Sequence, residues 1–136
     1  MNRDSFRDLI IKGEGLRLKP YLDIVGKVTI GYGRCLDDVG ISNSEAQMML
    51  DNDLSRVVGQ CRTNFLWFND LTDNRQNVVA SMVYNLGLDG FKNFKRVVAA
   101  IAACDWEGAA EQMLASKWAA QVGKRATELA NFMRSG

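Results

Sequence analysis

Histidine is absent from the chain, which excludes a Ser-His-Asp triad, a histidine metal ligand and a histidine general base. Its cysteines, Cys35, Cys61 and Cys104, are odd in number and widely spaced, with no Cys-x-x-Cys pair. Neither a disulfide framework nor a zinc knuckle can be built from them, and reduced folding is the simplest expectation. Long hydrophobic runs are missing too. The longest, Val97 to Cys104, is far shorter than the roughly 20 residues that span a bilayer. The opening residues, Met1 to Asp8, alternate in charge and lack the apolar stretch of a signal peptide. The expectation is a protein with no signal peptide, membrane anchor or stable membrane insertion. Net charge is only +1, without the basic stripe of a dedicated nucleic-acid binder. The sign is uneven along the chain: residues 1–90 carry ten Lys/Arg and twelve Asp/Glu, whereas 91–136 carry seven and four. That mildly basic end suits approach to an anionic polymer.

The chain has 136 residues, 47% of them apolar, which is ample for a single packed domain. Its pattern predicts one small β element followed by helices, an α+β architecture that is mostly helical. Asp4 is placed to cap a short first helix whose buried stripe is Phe6, Leu9 and Ile10, stopped by Gly13 and Gly15. From Leu16 the apolar period changes to two, with Leu16, Leu18 and Leu22 on one strand and Val28, Ile30 and Tyr32 on the return strand. The only proline, Pro20, marks the first strand as an edge. Gly26 is the natural turn residue, which leaves Asp23 at the end of the first strand and Thr29 facing away from Val28 and Ile30. Ser42 with Glu45 forms a capping box for a helix running to about Gly59, with Ala46, Met49, Leu50, Leu54, Val57 and Val58 on its apolar face. Further helices are expected from Leu71-Thr72-Asp73 to near Gly87, through Phe91 to Ile101, after Asp105 with Ala109, Met113 and Leu114 buried, and through Ala126, Leu129, Phe132 and Met133. A hairpin lobe of about 14–40 and a helical lobe of 1–13 and 41–136 make up the one domain.

Glu14 draws attention among the sixteen acidic residues because it lies between Gly13 and Gly15 where a helix ends. The negative end of the helix dipole favours a carboxyl in its proton-carrying form, which is the form a general acid needs. Asp23, at a polar turn, suits the ionised partner in such a pair. An acid, a second acid and a hydroxyl within one helix-to-hairpin unit point to hydrolysis of a sugar bond.

The spacing Glu14-x8-Asp23-x5-Thr29, set in Glu-Gly-Leu-Arg-Leu-Lys-Pro-Tyr-Leu-Asp-Ile-Val-Gly-Lys-Val-Thr-Ile-Gly-Tyr-Gly, resembles the catalytic segment of the phage-type lysozymes, the endolysin muramidases of glycoside hydrolase family 24. Leu71-Thr72-Asp73, the run Ala80 to Gly87, Gly90-Phe91 and Ser116-Lys117-Trp118 resemble later parts of the same family. The resemblance implies a lysozyme-like fold and hydrolysis, with inversion, of the β-1,4 bond between N-acetylmuramic acid and N-acetylglucosamine in bacterial peptidoglycan. Glu14 would then be the general acid, Asp23 the group that positions and deprotonates water, and Thr29 a holder of that water. It implies no cofactor and no metal. Action as a monomer, residence in the host cytoplasm until a holin releases the protein to the wall, and a role in host cell lysis are the matching expectations.

The sequence departs from the family at two places. Arg34 stands where the family commonly has histidine after Gly-x-Gly, and the acid that pairs with that histidine in some members corresponds to Asp53. The expectation is an Arg34–Asp53 tie, bidentate and permanently charged. Asp37 to Ile41 connects the hairpin directly to the capped helix, where larger members insert a helix. Arg125 lies where the family carries an arginine near its acid. Cys35, Asn85, Phe94 and Gln112 are candidates for lining the cleft, although Phe94 shares a helical stripe with Phe91 and Val98 and reads equally as core. Trp67, Trp106 and Trp118 lie in apolar patterns and read as packing. Two other classes are a lytic transglycosylase, which needs only the glutamate and leaves 1,6-anhydro ends, and a non-catalytic peptidoglycan-binding protein. The retained Asp23 and Thr29 weigh against both.

Overall fold

The computed structural model describes all residues, 1–136, and divides them into two compact units, Met1–Met49 and Leu50–Gly136. The expected α+β architecture is present. Helices dominate, and a single antiparallel sheet of three strands lies on the N-terminal side.

In the first unit, α1 (Arg3–Glu14) is capped by Asn2, whose Oδ1 accepts from the Ser5 N–H at 3.0 Å, so Asp4 falls inside the first turn and is not the cap. The predicted burial of Phe6, Leu9 and Ile10 is not found: they are 50%, 69% and 40% exposed. Forty-nine residues provide too little apolar area for a core of their own. The only buried residue in this unit is the polar Thr29. Strands β1 (Arg17–Leu22), β2 (Val28–Gly31) and β3 (Arg34–Cys35) follow in the order β1-β2-β3. Pro20 does lie on an edge strand, and the β1–β2 register is irregular between Arg17 and Tyr21, around the missing N–H. β3 was not anticipated, because two residues are too few to show alternation. The connection after the hairpin also contains one turn of helix, α2 (Leu36–Val39).

The Ser42–Glu45 capping box is formed in both directions, Glu45 N–H to Ser42 Oγ at 3.2 Å and Ser42 N–H to Glu45 Oε1 at 2.9 Å. It opens α3 (Asn43–Asn64), which runs past the expected end at Gly59. A lone glycine costs a helix only about 1 kcal/mol, and burial of Val57 and Cys61 on either side outweighs that cost. The predicted apolar face of α3 is buried only at Val57, with Val58 half-buried and Ala46, Met49, Leu50 and Leu54 exposed.

The second unit holds the core. After a 3-10 turn at Phe68–Asp70, α4 (Asp73–Leu86) begins at the Thr72 cap and buries Val78, Val79, Met82 and Val83. The helix expected through Phe91 to Ile101 is two helices, α5 (Leu88–Lys92) and α6 (Lys95–Ala102), broken at Asn93–Phe94. Phe91 is fully buried and meets Phe65 edge to face, with ring centroids 5.4 Å apart. The bend lets Val97 and Ile101 enter the same core. α7 (Trp106–Leu114) buries Ala109, Ala110 and Met113, while Leu114 stays exposed. α8 (Lys117–Val122), which the sequence pattern did not separate, buries Trp118, and α9 (Lys124–Ser135) buries Ala126, Leu129, Ala130 and Met133 but leaves Phe132 exposed. Trp67 stacks on Phe65 and Trp106 lies under the Arg75 guanidinium, so all three tryptophans are packing residues. No helix is long and apolar enough to cross a membrane.

The Asp105 cap forms as expected, its Oδ1 accepting from the Gly108 N–H at 2.9 Å. Asp105→Ala should lower the stability of the protein by about 1 kcal/mol, read as a shifted denaturant midpoint with an unchanged m-value.

Candidate active site

Glu14 is the last residue of α1, and the helix stops because Gly15 closes it with an N–H bond to the Ile11 carbonyl at 2.9 Å. The exposed Glu14 side chain reaches the turn between β2 and β3. A Cβ built on Gly33 would lie 2.5 Å from Glu14 Oε2 and 2.6 Å from its Cδ. The carboxylate therefore rests directly on the Gly33 backbone, which also has φ +76. A side chain at position 33 would strain the backbone and displace the Glu14 carboxylate. The contact of Gly33 with Glu14 depends on how α1 meets the sheet, which no local pattern carries.

Asp23 and Thr29 are joined through one residue, Lys27. Asp23 Oδ1 accepts the N–H groups of Val25 and Lys27, both at 2.9 Å, while the Asp23 N–H donates to the Lys27 carbonyl at 2.9 Å. The Thr29 hydroxyl donates to that same carbonyl at 3.0 Å. Thr29 is 4% exposed and is the protein's one buried polar residue. Because its proton is committed to Lys27, its oxygen faces any further partner as an acceptor. Asp23 Oδ2 makes no hydrogen bond within the chain. Cys35 pairs with Thr29 across β2 and β3.

Arg34 does not take Asp53 as its partner. Its Nη1 meets Glu45 Oε2 at 2.6 Å and the Gly40 carbonyl at 3.4 Å, while Asp53 pairs with Arg56 one turn along its own helix at 3.0 Å. The reason is local. The short α2 and the capping box bring Glu45 back beside the sheet, whereas Asp53 lies eight residues further along α3, about 12 Å at 1.5 Å per residue. The tie is permanently charged as expected, but it is made by one nitrogen rather than as a bidentate fork. Glu45 is held at both oxygens, and the Arg34 guanidinium together with the Ser42 donors lowers its pKa to about 2; Arg34 is raised in return. A depressed carboxylate contributes stability above its unfolded value of 4.5 and loses it as pH falls toward 2. The thermal midpoint of Arg34→Met should therefore lie below that of the wild type at neutral pH. The gap should close between about pH 4.5 and 2, and it should be small because both groups are partly solvated.

In the second unit, Phe94 and Gln112 come together. They line a pocket of about 340 Å3 with Asn93, Lys95, Arg96 and Ser116. Phe94 is also half-buried against the core, as its helical stripe with Phe91 and Val98 implied. Arg125 belongs to a different pocket, of about 450 Å3, with Leu50, Leu54, Ser81 and Tyr84. Asn85 is exposed on α4. Tyr84 was missed as a lining residue: it lies outside the apolar stripe of α4, and it is exposed and lines this pocket.

A mostly helical α+β protein with a carboxylate at the end of its first helix, an aspartate in the turn between its first two strands and a hydroxyl on the second belongs to the class of lysozyme-type glycosidases. The family model described as Phage lysozyme matches residues 12–134, and the chain belongs to that family. It is similar to an endolysin of Acyrthosiphon pisum secondary endosymbiont phage 1, at 30% identity over 93% of this chain and 86% of that protein. It is also similar to Probable T4-type lysozyme 2 of Dictyostelium discoideum, at 24% identity over 97% and 95%. A third relative is a SAR-endolysin of Bacteriophage PS34, at 29% identity over 82% of this chain and 66% of that one.

Proposed function

We propose that the chain, acting as one catalytic domain, hydrolyses the β-1,4 bond between N-acetylmuramic acid and N-acetylglucosamine in bacterial peptidoglycan, with inversion. The observation that carries this reading is the shared anchoring of Asp23 and Thr29 on the Lys27 backbone. It leaves one free carboxylate oxygen and one accepting hydroxyl oxygen. A water donating one proton to Asp23 Oδ2 and the other to Thr29 Oγ1 has its lone pairs free to attack the anomeric carbon. Glu14 gives its proton to the glycosidic oxygen as the bond to the leaving sugar breaks. Asp23 takes the proton lost by the water, and exchange with solvent restores both carboxyls. Inversion needs the two carboxyl groups roughly 6.5–9.5 Å apart, with the water between them and the sugar.

Cys35, beside Thr29, and the Phe94–Gln112 and Arg125 pockets are proposed to contact the glycan or to support the acid. Asn85 is assigned to glycan contact as well. The reading extends to host cell lysis by a monomer released to the wall through a holin.

Digestion of purified peptidoglycan tests the chemistry. Mass spectrometry should show reducing ends that have gained a water, and proton NMR should show the α-anomer first. First appearance of the β-anomer would overturn inversion; 1,6-anhydro ends would make the enzyme a transglycosylase; no turnover would leave a binding protein.

A further inference from the structure

Lys27 is anchored from outside the turn as well as within it. Its Nζ donates to Asp38 Oδ1 and Oδ2, both at 2.8 Å, and the neighbouring Asp37 Oδ2 accepts the Val28 N–H at 2.8 Å. Both aspartates belong to α2, the single helical turn that follows β3. α2 thus grips the hairpin at two successive residues, by a side chain at 27 and by the backbone at 28. The backbone of Lys27 is what fixes Asp23 Oδ1 and the Thr29 hydroxyl.

We infer that the Lys27–Asp38 pair is a positioning device for the water-activating group: α2 holds Lys27 so that Asp23 Oδ2 and Thr29 Oγ1 face one water. The inference rests on the proposed roles of Asp23 and Thr29. Asp38 is the foremost cause of a raised Lys27 pKa, so the ammonium stays charged beyond its ordinary range. The pair is about half exposed on each side, and exposed ion pairs contribute little to stability. Its worth is geometric. The loop Asp23 to Lys27 carries two exposed apolar side chains, Ile24 and Val25, with no packing of their own to hold the turn. Without the Lys27–Asp38 pair, position 27 is held only by the hydrogen bonds of the turn and by the strand pairing and the Asp37 bond at Val28 beside it. Misplacement of a reacting group by about 1 Å can cost up to about 10²-fold in rate.

The test is steady-state kinetics on purified peptidoglycan with four variants: Lys27→Met, Asp38→Asn, their double mutant and Asp23→Ala. Both single variants should unfold near the wild-type temperature, lose about tenfold in kcat and keep KM. The double mutant should lose no more than either single, as expected of partners in one contact. Lys27→Arg, which can still pair with Asp38, should recover most of the rate. If Asp23→Ala is inactive while Lys27→Met and Asp38→Asn match the wild type, the positioning role is refuted and the assignment of Asp23 stands. Multiplying losses in the double mutant, or losses confined to KM, also refute it. If Asp23→Ala retains full activity, the underlying reading of Asp23 is the part that fails.

Discussion

Glu14→Gln should abolish lysis while leaving the protein folded, with turnover down by about 10²–10⁴-fold, the range that a positioned proton donor supplies. Glutamine keeps the length and shape of the side chain and can still rest on Gly33, but it has no proton to give to a departing glycosidic oxygen. Glu14 is exposed and makes no hydrogen bond or ion pair within the chain, so its replacement disturbs no packing. The thermal midpoint should stay within about 1–2 °C of wild type, because surface changes of this kind usually move stability by less than about 0.5 kcal/mol. Clearing of outer-membrane-permeabilised Gram-negative cells, followed by turbidity, separates the outcomes. Equal clearing by the variant and the wild type would remove Glu14 from the role of acid. The defect should appear in kcat rather than KM, since proton donation acts in the transition state and adds nothing to ground-state binding.

Features closed within a few residues were legible in the sequence. The Ser42–Glu45 box, the helix start at Leu71-Thr72-Asp73, the Asp105 cap, the turn at Gly26 and the edge position of Pro20 depend on neighbours close along the chain, and all of them formed. Two local expectations failed, the Asp4 cap, displaced by Asn2, and the end of α3 at Gly59; the other failures depended on distant packing or on elements too short to show a period. The apolar faces of α1 and the first half of α3 are amphipathic by pattern, but a pattern states only which side is apolar, not that enough partners exist to cover it. The break between α5 and α6 was hidden because Phe91, Phe94, Val97 and Ile101 keep helical spacing across it.

The candidate site divides along the same line. Glu14, Asp23 and Thr29 carry a spacing that can be read from the sequence. Lys27, Gly33 and Asp38 meet these residues only through three-dimensional contacts and carry no signal of their own. Arg34 falls between the two: its need for a carboxylate followed from its charge, but the choice of Glu45 over Asp53 was set by the path of α2.

Gly33→Ala should lower activity by about 10–10²-fold, an effect large for the exchange of one hydrogen atom for a methyl group. Two costs arise there, and they can be separated. The first is backbone strain: φ of +76 costs a residue with a Cβ about 1–2 kcal/mol. The second is the carboxylate, since the new methyl would occupy the space of Glu14 Oε2 and Cδ. The side chain can swing aside at little cost in stability, but the displaced proton donor no longer meets the glycosidic oxygen, and such a shift is costly in rate. Gly123, between α8 and α9, provides the control. Its φ is +63, and a Cβ built there meets nothing within 4 Å. Gly123→Ala should therefore share the stability loss and keep most of the turnover. Chemical denaturation and turnover measured on the two variants distinguish the effects: if both lose activity in proportion to stability, strain alone is at work and the contact between Glu14 and Gly33 has no catalytic meaning. If Gly33→Ala alone loses turnover, the glycine is the floor on which the acid is aimed.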